Sequence, residues 1–386
     1  MIALSAACVA SSSANADSSV TLYGIIDIPV EFATHQASST ATVNPTTGVV
    51  TAQPGGNRYS MLAGGGLQGN RWGFRVVEDL GAGLKAIAVL EGGFGATNGT
   101  LQQGGRLFGR QVYVGLNSAT YGQVTFGRQY TTIYDALVNF DPFFTGATYS
   151  PLIAMLGLAT RDDNMTKYTG TFGPITLEGH WSFGAGTSPL MVTPLANGGT
   201  GQVPGHFRDD TAYGAALTFT RGPFSATVAL DQWNPAITTG NAGSARKLAG
   251  AASYKFGPAT VMGGYRWGNT KDSFDTVLLR DDFYWAGITY QVTPAFFLSG
   301  AYYYDNIKSL RVSPVAPSTN PANPWQVALV ADYFLSKRTD IYIASAFAKN
   351  AALDLDSVAT GYAYGYSLAQ GATNQLGVAI GIRHKF

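Results

Sequence analysis

The segment NQLGVAIGIRHKF, residues 374–386, alternates apolar side chains with polar or small ones. Side chains of a β-strand point in turn to opposite faces, so this order predicts a strand with two different faces. The apolar face carries Leu376, Val378, Ile380, Ile382 and Phe386. The other face carries Gln375, Gly377, Ala379, Gly381, Arg383 and Lys385. Such a strand separates an apolar medium from a polar one.

The composition limits which apolar medium this is. The 386 residues are 46% hydrophobic and only 12% charged, with 48 Gly, 21 Tyr and 21 Phe. Soluble domains average about 25% charged residues. No apolar run approaches the roughly 20 residues of a transmembrane helix. Together these features favour a barrel with lipid outside and water inside. The net charge of +1 argues against a nucleic-acid partner.

Sixteen segments of the chain have strand character, and each is near the ~9–11 residues that cross a bilayer when tilted. They are residues 20–32, 70–78, 83–94, 106–117, 122–129, 164–171, 174–183, 210–220, 224–233, 245–256, 259–267, 282–292, 295–305, 324–335, 339–349 and 374–386.

Short turns with Gly and Pro alternate with long connections along the whole chain. The long ones are residues 33–69, 95–105, 130–163, 184–209, 234–244, 268–281, 306–323 and 350–373. Outer-membrane barrels combine short periplasmic turns with long extracellular loops in this way. A closed sheet also pairs the backbone groups that lipid cannot hydrogen-bond. We therefore predict an all-β fold, a sixteen-stranded antiparallel transmembrane β-barrel over residues 17–386.

The first residues predict export. Residues 1–16, MIALSAACVASSSANA, are an apolar stretch that ends in a small-x-small pattern, so we expect a cleaved signal peptide with Asp17 as first mature residue. A basic n-region is missing, so we expect the signal to be truncated at its start. Cys8, the only cysteine, lies in this segment, which leaves a mature chain without disulfides or thiolate metal ligands.

The connection at residues 130–161 differs from the others in composition. A connection of this length is usually functional, and a loop in water has no reason to carry this many large apolar groups. We therefore predict that it folds inward against a wall, with Phe140, Phe143 and Phe144 as anchors. Its apolar side chains are Leu137, Val138, Phe140, Phe143, Phe144, Leu152, Ile153, Met155, Leu156 and Leu158.

Charged residues surround this loop. Arginines on the flanking segments are Arg71, Arg75, Arg106, Arg110, Arg128 and Arg161. The loop itself carries Asp135 and Asp141. Carboxylates on an inward loop facing arginines on a wall would place an electric field across a narrow aqueous pore.

Catalytic and metal sites find little support in the sequence. We see no G-x-S-x-G motif and no P-loop. The four histidines have no partners at metal-ligand spacing, and the mature chain has no cysteine. We expect neither an enzyme nor a cofactor.

Several motifs together resemble the Gram-negative general porins. They are SSVTLYGIID (18–27), NRWGFRVVEDLGAGLKAIAVLEGGF (70–94), LFGRQVYVGL (107–116), YGQVTFGRQY (121–130) and GIRHKF (381–386). The resemblance covers the mature chain and implies a trimeric sixteen-stranded barrel whose third long loop narrows the lumen. It implies that residues 130–161 are this constriction loop.

The resemblance also implies roles for single residues. Arg71, Arg110 and Arg161 match the basic cluster of the family's wall, and Arg75 and Arg128 have the strand parity to join it. Asp135 and Asp141 would be the facing acids, although FDPFFTG replaces the family's usual turn there and leaves open which one reaches the centre. Ile25 and Asp27 stand where some relatives have a basic residue, which predicts a weak anion preference only.

Three functions stay open from the sequence. The first is a passive outer-membrane channel for small hydrophilic solutes and ions, with outer-membrane lipid and two further copies of the chain as partners. The second is a structural or adhesive barrel with a plugged lumen. The third is a substrate-specific channel with a saturable binding site.

Overall fold

The computed structural model describes residues 18–143, 148–186, 203–236, 238–362 and 365–386. Its strands are β1 (Ser19–Ala37), β2 (Thr42–Val43), β3 (Val50–Thr51), β4 (Gly55–Met61), β5 (Arg71–Gly81), β6 (Leu84–Gly93), β7 (Gln111–Ser118), β8 (Gly122–Tyr130), β9 (Arg161–Phe172), β10 (Ile175–Ser182), β11 (Ala212–Arg221), β12 (Phe224–Trp233), β13 (Ser244–Phe256), β14 (Ala259–Lys271), β15 (Val277–Thr293), β16 (Phe296–Leu310), β17 (Trp325–Phe334), β18 (Thr339–Lys349) and β19 (Asn374–Lys385). The helices are α1 (Thr132–Leu137) and α2 (Leu152–Leu156), with 3-10 turns at Val138–Phe140 and Leu353–Leu355.

Strand β1 closes the sheet into a barrel. It pairs with β19 from Ile25↔Lys385 to Ala33↔Gly377, and with β5 from Ser19↔Val77 to Ile25↔Arg71. From β5 to β19 each strand pairs antiparallel with the next. The predicted sixteen-stranded antiparallel barrel is therefore confirmed, with β2, β3 and β4 as additions in the first long connection.

The strand bounds differ from the prediction mainly at the end of the barrel that carries the long connections. β1 runs on to Ala37, β15 begins at Val277 and β16 ends at Leu310. Ladder hydrogen bonds continue beyond the length that a bilayer requires, so these hairpins project from it. The fourth predicted strand begins at Gln111 rather than at residue 106, because Gly109 and its neighbours form turns.

Burial across the wall is the reverse of that in a soluble protein. On β19, Ile380 is 62% exposed whereas Gln375 and Ala379 are 0% exposed. On β12, Val228 is outside and Asp231 is buried. The alternation predicted for both strands is confirmed. The barrel therefore has an apolar outer surface, and its core of buried side chains lies in the lumen.

No helix in the ranges that the structure describes has the length and apolar character needed to span a membrane.

Candidate functional site

The lumen is filled on one side by the inward loop, defined here as the described residues 131–143 and 148–160 between β8 and β9. Helix α1 packs against β11 and β12, and α2 packs against β15. The wall beneath the loop has small side chains, which leave room for it. Those buried alanines are Ala216, Ala229, Ala249, Ala251, Ala301, Ala328, Ala344, Ala346, Ala348 and Ala379. The buried loop residues include Ile133, Leu137, Phe140, Phe143, Ile153, Met155 and Leu156.

Polar contacts fix the inward loop to this wall. The Trp285 indole donates to the carbonyl of Phe140 at 2.8 Å. The Arg266 guanidinium donates to the carbonyls of Ala154 at 2.6 Å and Met155 at 3.2 Å, near the end of α2. A short helix leaves its last carbonyls unpaired, so these donors satisfy groups that would otherwise be buried without partners.

Two other long connections also enter the lumen. The carbonyl of Gly66 accepts a 2.6 Å hydrogen bond from the backbone of Thr148, which ties residues 62–70 to the inward loop. Residues 350–373 form a final loop, in which the backbone N–H of Asp354 donates to Oε1 of Gln326 at 2.8 Å. Nε2 of Gln326 donates in turn to the carbonyl of Tyr149 at 2.8 Å. Residues 62–70 and the final loop therefore pack on the inward loop as a second layer.

A basic cluster lies on the opposite wall, which runs from β5 to β9. Arg110 and Arg161 each donate to the Tyr130 hydroxyl at 2.8 Å. Arg110 also pairs with Glu91 at 2.7 Å. Arg71 interacts electrostatically with Arg110 and Tyr130, and its Nε donates to the carbonyl of residue 69 at 2.9 Å.

Three arginines of this wall lack a carboxylate partner. No carboxylate lies within 4.0 Å of Arg71, Arg75 or Arg161 among the residues that the structure describes. Arg75 is exposed two residues beyond the buried Gly73, with its guanidinium 5.4 Å from the ring centre of Tyr23. This wall therefore presents surplus positive charge to the water-filled part of the lumen.

Similarity to known proteins decides the family. The family model for Gram-negative porins matches residues 3–353. This chain belongs to the Gram-negative porin family. It is a porin channel of the outer membrane, and the sequence resemblance is confirmed.

Relatives and solved structures agree along the whole length. The porin is 29% identical to outer membrane porin protein 32 of Delftia acidovorans, over 100% of this chain and 99% of that protein. It is 28% identical to an outer membrane porin protein of Bordetella pertussis, over 97% and 96% of the two chains. The structure of an anion-selective porin from Comamonas acidovorans matches with a TM-score of 0.73 and 25% identity, covering 96% of this chain and 100% of that one.

The structure separates the predicted arginines into two groups. Arg71, Arg110 and Arg161 meet at Tyr130, and Arg75 lies on the same wall. Arg128 instead donates to Asp163 at 2.7 Å and to the carbonyl of Gly109 at 2.8 Å. Because Arg106 also pairs with Asp163, at 2.8 Å, the charge of Arg128 is partly balanced outside the cluster.

The two predicted acids have different surroundings. Asp141 is fully buried and accepts hydrogen bonds from Ser150 at 2.8 Å and from the Tyr303 hydroxyl at 2.5 Å. It therefore anchors the inward loop to β16 and does not face the arginines. Asp135 lies on α1 with its side chain 31% exposed. Asp27 of the first strand is buried beneath Gln68, whose backbone donates to it at 2.8 Å.

Of the predicted anchors, Phe140 and Phe143 are buried against the wall, and Phe144 lies outside the described residues. The predicted signal peptide with Cys8 also lies outside them.

Sequence reasoning missed two charged residues beside Asp135. Lys167 on β9 forms an ion pair with Asp135 and donates to the carbonyl of Tyr130 at 3.1 Å. Glu178 faces inward on β10, opposite Thr169 of β9. Strand parity relative to the loop would have placed both inside. Which residues these two side chains contact depends on the course of the inward loop, and strand parity does not predict that course.

No group of three His, Cys, Asp or Glu side chains suited to a metal ion occurs in the described part of the porin.

Proposed function

We propose that this porin is a passive diffusion channel for small hydrophilic solutes and ions, with a preference for anions. The observation that carries the preference is the set of lumenal arginines, Arg71, Arg75 and Arg161, that lack carboxylate partners. Two of the nearby acids are paired, Glu91 with Arg110 and Asp135 with Lys167. The anion-selective porin from Comamonas acidovorans is a relative with the same fold.

The inward loop, together with residues 62–70 and 350–373, narrows the aqueous path through the lumen. The path that remains lies on the side of the lumen that carries the arginines. A narrow aqueous path between low-dielectric walls focuses the field of nearby charges. An anion entering this path meets arginines that have no carboxylate within 4.0 Å in the described part of the chain, whereas a cation is repelled. No bond is made or broken, so the mechanism is diffusion through water, filtered by size and by this field.

We propose a homotrimer as the assembled state. A solved structure with the same fold, from Vibrio cholerae, is described as a trimer form. Channels that insert or close in groups of three in a planar bilayer would support this state.

A reversal-potential measurement across a salt gradient tests the preference. We expect the unaltered porin to pass chloride better than potassium, and Arg71→Gln with Arg161→Gln to lower the permeability ratio by about two-fold or more, since each change removes a unit charge at a few ångströms from the path. Arg106→Gln is the matched control, because this arginine shares Asp163 with Arg128. An unchanged ratio in the double variant would rule out the assignment of these arginines.

A plugged structural barrel is the second function, favoured by the three inward segments. Single-channel recording distinguishes the two. A bilayer that stays silent after verified insertion would exclude the diffusion channel and favour the plug.

A further inference from the structure

We infer that Lys167 determines the ion selectivity of this porin by neutralising Asp135, the carboxylate of the inward loop that remains partly exposed. This inference rests on the proposed anion preference and adds a residue to it. Lys167 acts through Asp135, so it is a positioning residue for the field and not a group that binds the passing ion.

Asp135 is the carboxylate with which Lys167 forms an ion pair among the residues that the structure describes. Lys167 lies on the inner face of β9, in register with Thr125 of β8 and His180 of β10. Its side chain is only 5% exposed, whereas that of Asp135 is 31% exposed. The ammonium group is therefore held behind the carboxylate, between the wall and α1, and reaches the lumen only through its partner.

A second contact fixes the ammonium group in that place. It donates to the carbonyl of Tyr130 at 3.1 Å, the residue whose hydroxyl joins Arg110 and Arg161. The ring of Tyr130 stacks on that of Tyr134 with centres 4.1 Å apart. The same short stretch of chain thus places the basic cluster and the Asp135–Lys167 pair side by side.

The consequence is a one-sided field. Without Lys167, the charge of Asp135 would offset the charge of the arginines beside it. With Lys167 paired, Glu178 is a further carboxylate nearby, and it interacts with both members of the pair. Positive charge then exceeds negative charge at the narrow part of the path.

The alternative is that Lys167 serves only to hold α1 in place. If Lys167 only held α1 in place, its removal would change the noise of the current and the protection of the inward loop against hydrogen exchange. The ratio of anion to cation permeability would then not depend on the charge of residue 167. The permeability ratio is therefore the decisive readout, and loop hydrogen exchange reports the structural effect separately.

The experiment compares Lys167→Met, Lys167→Arg, Asp135→Asn and the double variant Lys167→Met with Asp135→Asn in planar bilayers. We expect Lys167→Met to lower the chloride-to-potassium ratio by about two-fold or more, because it leaves a carboxylate unpaired beside the path. Lys167→Arg should keep the original ratio, and the double variant should return close to it.

Lys255 provides the matched control for net charge. It is exposed near the short-turn end of β13, with the inward parity of Lys247, and has no carboxylate within 4.0 Å in the described part of the chain. Lys255→Met removes the same charge far from Asp135 and should change the ratio less than Lys167→Met.

The outcomes separate the two ideas. An unaltered porin without anion preference would overturn the proposed function. An anion-preferring porin whose ratio is unchanged in Lys167→Met, or equally changed in Lys255→Met, would overturn the role of Lys167 alone. A Lys167→Met effect that Asp135→Asn does not reverse would also overturn it.

Discussion

The two sides of the lumen use charged residues in opposite ways. On the wall of β5 to β9, Arg75 is exposed and Arg161 is partly exposed. On the wall of β13 to β16, Arg266 is 0% exposed and its donors are used by Asp281 and by carbonyls of the inward loop. Both walls carry arginine on inward strand positions, but only one of them offers that charge to a solute.

The difference follows from the neighbours of each arginine. Beside Arg266 lie Ala249 on β13 and Phe283 on β15, and carbonyls of the inward loop accept hydrogen bonds from its guanidinium. A charge that becomes buried must be paired and hydrogen-bonded. Arg75 is exposed, and its guanidinium lies 5.4 Å from the ring centre of Tyr23. The arginine that the inward loop covers is thus paired and hydrogen-bonded to the loop, whereas Arg75 stays exposed.

The largest effect is expected from removing Arg266, which holds the inward loop against the wall of β13 to β16. Its Nη1 lies 2.6 Å from Asp281, which also accepts from the Tyr362 hydroxyl at 2.7 Å. Arg266→Met leaves the buried Asp281 with Lys247, at 3.8 Å, as its cationic partner. It also removes the hydrogen bonds that the guanidinium donates to the carbonyls of Ala154 and Met155 at the end of α2. Losing one partner of a buried ion pair costs about 3–5 kcal/mol. We expect hydrogen exchange in residues 152–157 to accelerate and single-channel current to become noisier.

Arg246→Met on the adjacent strand is the control, since this residue is exposed and faces outward. It should leave both readouts within error. Unchanged exchange in residues 152–157 of Arg266→Met would contradict the idea that this arginine holds the loop.

A smaller effect is expected at Glu31, where three inward segments meet. Its fully buried carboxylate accepts from Tyr149 at 3.0 Å, Tyr366 at 2.5 Å and Arg58 at 2.7 Å. Glu31→Gln removes the charge that these donors share. Hydrogen bonds to charged groups contribute about 1.5–3 kcal/mol, and the partial exposure of Arg58 lowers that figure. We expect faster hydrogen exchange in residues 148–150 and 365–367.

Ser60→Ala is the comparison for Glu31→Gln, because Ser60 contacts the same carboxylate only at 3.5 Å. Equal exchange rates in the two variants would mean that Glu31 does not tie the three segments together.

The sequence predicted the barrel because strand alternation and turn spacing are local patterns, readable without knowing what the strands contact. The resemblance to the porins implied a basic cluster of Arg71, Arg110 and Arg161 on the wall, and in the structure Arg110 lies just before β7. The sequence did not distinguish Asp135 from Asp141, because both are loop carboxylates, and only the path of the loop puts Asp141 against Tyr303. Tyr130, whose hydroxyl accepts from both Arg110 and Arg161, was not foreseen.

The entry of residues 350–373 into the lumen was missed for a related reason. The long connection appears polar, yet its start, AALDL at residues 351–355, is apolar and all five residues are buried. The alanines of β18 on the inner wall were the complementary signal. Neither signal decides the packing alone, because small wall residues and a short apolar stretch are each common.

The smallest expected effect concerns pH and the final loop. Asp354 is buried in the 3-10 turn Leu353–Leu355 at a positive φ of 61°, and its Oδ1 has no hydrogen-bond partner. Burial, together with the negative charges of Asp356 and Glu31, raises the pKa of Asp354 well above its ordinary value of 3.8. The docked loop therefore binds the proton more tightly than a released loop does. Docking is favoured at low pH and weakens as pH rises above the ordinary value.

Hydrogen exchange in residues 351–356, corrected for intrinsic rates, checks this sign. In the unaltered porin we expect protection to fall as pH is raised from 5 to 8. Asp354→Asn removes the ionisation, so its protection should stay level over the same range, while Asp275→Asn in an exposed loop should behave as the unaltered porin. A porin whose protection in this loop rises with pH would show that the carboxylate is stabilised as an anion.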